Sequence, residues 1–226
     1  MRCRISAMTS LKVVFSKIGV VAIQVCLLAP CETLDKVMCT LKARIGPMFR
    51  IMSPDEFQTN PWKNGGGITR EVARHPVGED WQWRISIAEV GTDGPFSLFP
   101  GMTRILTVID GAGIDLLAVD GLLEARLHRP VHFSGDQDVN AKLVSGPVHD
   151  LNLIYDATAV EAAVNVILGP ATVNCEAGTA GFLCLSGAVT VSGDGLPVGA
   201  FALGTGADIA LEADATGILI TLRDRA

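Results

Sequence analysis

Trp81-Gln82-Trp83-Arg84-Ile85-Ser86-Ile87-Ala88-Glu89 alternates residue by residue. Trp81, Trp83, Ile85 and Ile87 make one apolar face and Gln82, Arg84, Ser86 and Ala88 the other, which is the period of a β-strand. A packed layer suits the first face. The second carries a guanidinium and a hydroxyl, which suit a polar interior. Downstream, apolar runs at 103–109, 114–119, 122–128, 131–133, 141–144 and 150–155 are separated by turns such as Asp110-Gly111-Ala112-Gly113 and Asp120-Gly121. Aromatic residues make up only 5% of the chain against 24 glycines, so short strands and turns are favoured over long helices.

The second half repeats the punctuation. Gly181-Phe182-Leu183-Cys184-Leu185-Ser186-Gly187-Ala188-Val189 compares with Arg104-Ile105-Leu106-Thr107-Val108-Ile109-Asp110-Gly111-Ala112: an apolar strand, a glycine turn, then a second strand. We read this as a degenerate internal duplication, an all-β sandwich or barrel built twice.

Upstream stands Pro61-Trp62-Lys63-Asn64-Gly65-Gly66-Gly67-Ile68-Thr69-Arg70-Glu71. Three successive glycines cost conformational entropy and supply no packing. They suit a backbone that needs positive φ or close approach. Thr69 and Glu71 are two apart, so on a strand they share a face. The segment reads either as the turn and wall of a small polar pocket or as a hairpin with a solvated face.

The 226 residues, 49% hydrophobic, suffice for one sizeable core or two small ones. Residues 1–47 differ from the rest: seven Lys/Arg against two acids give +5 and leave −11 for the remainder. That acidic body is a poor nucleic-acid partner. The apolar run 18–30 imitates a signal peptide but is short for a membrane span of roughly 20 residues. We expect Met48 to begin the folded chain and 1–47 to be an extension without selected structure. Cys175 and Cys184 read as small buried hydrophobes, no zinc spacing occurs, and a reduced cytoplasmic domain is expected.

The run from Pro61 to Gly67 with Thr69 and Glu71, then Trp83-Arg84, Ser86 and Ala88, then Gly94-Pro95-Phe96-Ser97, Phe99-Pro100-Gly101 and Arg104 resembles the HutD/Ves family. Phe133-Ser134-Gly135-Asp136, Gly146-Pro147-Val148 and Asp150-Leu151-Asn152 are similar to the same family. The resemblance implies a bicupin, two cupin-type barrels in one chain. It implies boundaries at 48–160 for the first barrel and 161–226 for the second, the latter completed by strands from the first half. It also implies a regulatory role in histidine utilisation, through binding of a small metabolite, and no known reaction.

Many cupins hold a metal through His-x-His. The four histidines (His75, His128, His132, His149) form no such pair, and His128 and His132 would lie roughly 13 Å apart on a strand. No metal or other cofactor is expected. The candidate ligand-binding set is Lys63, Asn64, Thr69, Glu71, Arg84, Ser86, Arg104, Asp150 and Asn152. In one version Arg84 or Arg104 holds a ligand carboxylate in a bidentate fork, with Glu71 receiving a ligand N–H. In the other, Glu71 is the permanent partner of Arg84 and the pair is structural. The expected partner is a small carboxylate such as urocanate or a formylglutamate-like acid, with no nucleic acid and no membrane. A homodimer is the default for such barrels. The alternative function is a metal-free isomerase or hydrolase of a small acid.

Overall fold

The computed structural model describes residues 12–15, 21–24, 48–62, 65–175 and 178–225. It divides into two units, residues 1–46 and 47–226. In the first, β1 (Lys12–Phe15) pairs antiparallel with β2 (Val21–Gln24). The expectation that this segment is an extension falls otherwise on residues outside those described.

The second unit is all-β apart from one 3-10 turn, Pro54–Glu56, which Ser53 and Glu56 close with a capping box. Its strands are β3 (Met48–Met52), β4 (Gln58–Pro61), β5 (Gly67–His75), β6 (Trp83–Val90), β7 (Gly94–Pro95), β8 (Thr103–Asp110), β9 (Ile114–Ala118), β10 (Gly121–Ala125), β11 (Val131–Ser134), β12 (Asn140–Leu143) and β13 (Val148–Tyr155). There follow β14 (Val160–Leu168), β15 (Ala171–Asn174), β16 (Thr179–Ser186), β17 (Val189–Val191), β18 (Asp194–Leu196), β19 (Phe201–Thr205), β20 (Asp208–Leu211) and β21 (Thr216–Asp224).

The pairings expose the duplication. Sheets ordered β11-β8-β13-β6 and β10-β9-β12-β7 recur, eight strands later, as β19-β16-β21-β14 and β18-β17-β20-β15. Each set is an eight-stranded jelly roll, so the chain is a cupin-type double barrel. β5 and β4 extend the first large sheet beyond β6. β3 extends the second beyond β19, so the strand that opens the unit belongs to the C-terminal barrel's sheet.

The two large sheets press together. Trp83, Ile85, Ile105, Leu151, Leu153 and Tyr155 from the first barrel meet Val160, Val164, Leu183, Ile218, Ile220 and Leu222 from the second in one buried cluster. Because side chains alternate along a strand, placing Ile85 and Leu153 in that core sends Arg84, Ser86 and Asn152 into the first barrel's lumen. The alternation read from 81–89 thus holds from Trp83 onward. Trp81 departs from it: it precedes β6 and lies against Arg84 rather than with Trp83. The run 122–128 also ends early: β10 stops at Ala125, Leu127 makes only an isolated bridge to Val108, and His128 adopts a left-handed φ of 58°.

Aligning the barrels by register shows how differently they are filled. In the first, Arg104, Leu106 and Val108 oppose Ile154, Asn152 and Asp150. In the second, Ala180, Phe182 and Cys184 oppose Thr221, Leu219 and Gly217. The Phe182 ring lies against Gly217, where a Cβ would come within 2.3 Å of it. An aromatic plug therefore occupies the level at which the first barrel keeps Asn152 and Asp150. Phe182 is fully buried, and Phe182→Ala should cost about 3–5 kcal/mol. Urea denaturation measures this, with any ligand affinity of the first barrel unchanged.

Candidate functional site

The lumen of the first barrel opens into a cavity of about 680 Å³. That is within the range of roughly 300–1,000 Å³ usual for small-molecule sites. Thr69, Glu71, Arg84, Ser86, Arg104, Asp150 and Asn152 all line it. Lys63 and Asn64 lie outside the described residues.

Register explains the convergence. On β6, Arg84, Ser86 and Ala88 sit beside Ile154, Asn152 and Asp150 of β13. On β5, Thr69 and Glu71 sit beside Ala88 and Ser86. A bulge between Glu71 and Ala73 then shifts the register by one, bringing Arg74 opposite Arg84. In an unbroken strand Glu71 and Arg74 would point to opposite faces. Here they share one, and Arg74 Nε and Nη2 grip both carboxylate oxygens of Glu71 at 2.5 Å.

That ion pair goes against Glu71 as the standing partner of Arg84, and it also engages both of the oxygens that the other version left for a ligand N–H. Its partner is Arg74, a residue the sequence reading missed, and not Arg84. Arg84 donates no hydrogen bond and forms no ion pair among the described residues, and its buried Nε has no partner. Its guanidinium lies 5.3 Å from the Trp81 ring centroid and 5.0 Å from that of Phe99. Burial pulls its pKa down, Glu71 opposes that shift and Arg74 adds to it. The charge persists at neutral pH but is poorly solvated.

Arg104 is deeper. Phe96, Phe99 and Phe133 surround its guanidinium at 4.8–5.4 Å. Burial lowers its pKa to about 10, against the pull of Asp150. Nη2 donates to Asn152 Oδ1 at 3.0 Å and Nη1 to the Ser97 carbonyl at 3.3 Å, while Nε is buried unpaired. Asn152 Nδ2 in turn donates to Asp150 Oδ1. Asp150 is fully buried, and its Oδ2 has no partner. Desolvation raises its pKa to about 7, only partly offset by Arg104.

The glycine run fixes the rim. Gly65 has φ +71°, and a Cβ on Gly67 would stand 2.4 Å from the Glu89 carbonyl and 3.1 Å from the Trp62 ring. Trp62 therefore folds back over Gly67, accepts a rim position and donates from Nε1 to Thr69 Oγ1 at 2.8 Å. Outside the cavity lining, Asp136 ties two loops together, accepting from Gly101 N at 2.9 Å and from Ser134 Oγ at 3.1 Å.

Among the described residues no His or Cys lines the cavity, and no cluster of His, Cys, Asp or Glu has metal-binding geometry. His149 lies instead beside Asp110 and Glu89, and His75 stacks on Trp83. Cys175 and Cys184 are buried, unpaired, and pushed up in pKa by burial. No helix among the described residues is long and apolar enough to cross a membrane. Three guanidiniums (Arg74, Arg84, Arg104) against two carboxylates (Glu71, Asp150) give the described cavity wall an excess of positive charge.

Residues 54–225 match the family model HutD. An uncharacterised 21.2 kDa protein in the hutC 3′ region of Pseudomonas putida is 36% identical over 152 residues, 64% of this chain and 77% of that one. Protein Ves of Citrobacter koseri is 38% identical over 110 residues, 47% of this chain and 58% of its own length. The solved structure of HutD from Pseudomonas fluorescens SBW25 superimposes with a TM-score of 0.70 at 31% identity, covering 79% of this chain and all of that one.

A carboxyl whose pKa is raised on folding gives stability that is present at low pH and lost as pH rises. Asp150→Asn should accordingly stabilise the protein at pH 8, by on the order of 1–3 kcal/mol, and change little near pH 4. Thermal melts of both proteins across that range provide the check.

Proposed function

The chain belongs to the HutD family, and on that premise we propose that it is a regulatory binder of a small carboxylate metabolite in histidine utilisation. The observation that carries this reading is Arg84, a guanidinium set against an edge-on pair of aromatic rings with no hydrogen-bond partner among the described residues, on the wall of a cavity of metabolite size. Desolvating such a charge is unfavourable unless an anion completes it, and the planar fork fits a carboxylate through two bonds. Ser86 lies beside it to accept or donate a further bond. Phe96, Phe99 and Trp62 offer flat apolar walls to a planar or extended acid. The relative from the hutC 3′ region supports the link to histidine breakdown, so urocanate and formylglutamate are the first ligands to try. The free thiols Cys175 and Cys184 are consistent with a cytoplasmic setting.

A second reading rests on Asp150. A buried carboxyl with a pKa of about 7 is what a general base needs, which would make the cavity a metal-free active site for isomerisation or hydrolysis of a small acid. Binding without turnover is the simpler account, because Asp150 lies beneath Asn152 and its free oxygen is closed off from solvent.

Isothermal titration with urocanate and with formylglutamate should give saturable heat for at least one. Arg84→Gln should weaken it roughly 30- to 100-fold, the loss of about 2–3 kcal/mol expected for a charge-assisted pair. Absence of heat at millimolar ligand sinks the metabolite class. Proton NMR of each compound incubated with protein should remain unchanged over hours; new resonances would favour the enzyme reading.

A further inference from the structure

Asp150 is the one buried carboxyl in the cavity without a cation bonded directly to it. Its connection to charge runs through an amide: Arg104 Nη2 donates to Asn152 Oδ1, and Asn152 Nδ2 donates to Asp150 Oδ1. Its other oxygen, Oδ2, is sealed from water and unpaired. Its cross-strand neighbours, Ala88 on β6 and Val108 on β8, are apolar. The other charged groups described on the cavity wall are Arg84 from β6 and Glu71 with Arg74 from β5. Glu71 and Arg74 largely cancel each other. The small facing sheet turns Ile114, Leu116 and Ala141 into the lumen cluster and adds no charge to the wall.

We propose that anion binding in this cavity and protonation of Asp150 are one coupled event, with Arg104 and Asn152 as the link. The inference rests on the anion-binding reading above. An anion seated on the guanidiniums compensates Arg104, and Arg104 is the one charge among the described residues that favours the ionised form of Asp150, alongside the neutral bond from Asn152. With that support weakened, burial dominates and the carboxyl takes a proton, delivered through the cavity that Asp150 lines when local motion opens Oδ2 to it. The proton adds to Oδ2, Oδ1 keeps its bond from Asn152, and the ligand enters as the anion. The site thus binds an acid as anion plus proton, although the two occupy different places.

The sign follows from linkage. Under this coupling Asp150 holds its proton to higher pH in the bound state than in the free state, where burial already raises its pKa to about 7. Affinity is therefore full below that value, falls as pH rises between the free and bound values, and levels off above both.

The test is a pH titration of the Asp side-chain carboxyl carbons by NMR. The Asp150 resonance is assigned by its loss in Asp150→Asn, and spectra are taken free, with saturating acetate, and with saturating urocanate. The expected result is a midpoint near 7 in the free protein that moves upward by at least one pH unit with either anion. For a ligand that binds measurably, calorimetry in buffers of different ionisation heat should show uptake approaching one proton in the wild type and none in Asp150→Asn. A midpoint unmoved or lowered while urocanate gives binding heat overturns the coupling and leaves the carboxylate pocket standing. If neither anion moves any cavity resonance or gives heat, both readings fall.

Discussion

A half-buried positive charge with no hydrogen-bond partner among the described residues organises this molecule. Arg84 lies against the edge-on pair Trp81 and Phe99, and Arg104 is ringed by Phe96, Phe99 and Phe133. Cation–π contact returns part of the lost hydration, of the order of 1–2 kcal/mol each, far below the desolvation of an ion. Phe99 serves both guanidiniums, so the two cations are coupled through one ring. The arrangement is tolerable because the rest of the barrel is well packed, and it gives an entering anion two partly desolvated forks already oriented.

That tolerance comes from the division of labour between faces of one sheet. The outer face of the first large sheet contributes Trp83, Ile85, Ile105 and Leu153 to the core between barrels. The inner face is thereby released from packing duty and can hold polar groups. The second barrel fills the corresponding level with Phe182 on Gly217, leaving a separate cavity nearer its Ala180–Thr221 end. One barrel supplies a site, and its copy supplies packed mass behind that site.

Most of the architecture was legible because it depends on period and turns. The alternation of 83–88 gave both faces of β6, and the paired strand–glycine–strand segments gave the duplication. Pocket residues Thr69, Arg84, Ser86, Asp150 and Asn152 share the same two-residue spacing, so they sort onto one face without a structure. What escaped the sequence involves broken periods. The bulge after Glu71 brings in Arg74, which no alternation rule places beside it. Trp81 sits just before a strand and turns toward Arg84, so extending the pattern by one step misassigned it. β14, with Glu161-Ala162-Ala163 in its first half, lacks clear alternation and is recognised only through its pairing with β21. The pairing of β3 with β19 is long-range and leaves no local trace.

The position of β3 has a consequence for biogenesis. During translation Met48–Met52 leaves the ribosome ahead of every other strand of the double barrel, yet its hydrogen-bonding neighbour Phe201–Thr205 is made almost last. The earliest strand therefore waits for about 150 residues of synthesis, an interval in which an unpaired edge is exposed to aggregation. The fold is locked by joining its two ends, so a chain truncated between the barrels lacks the final partner of its first strand.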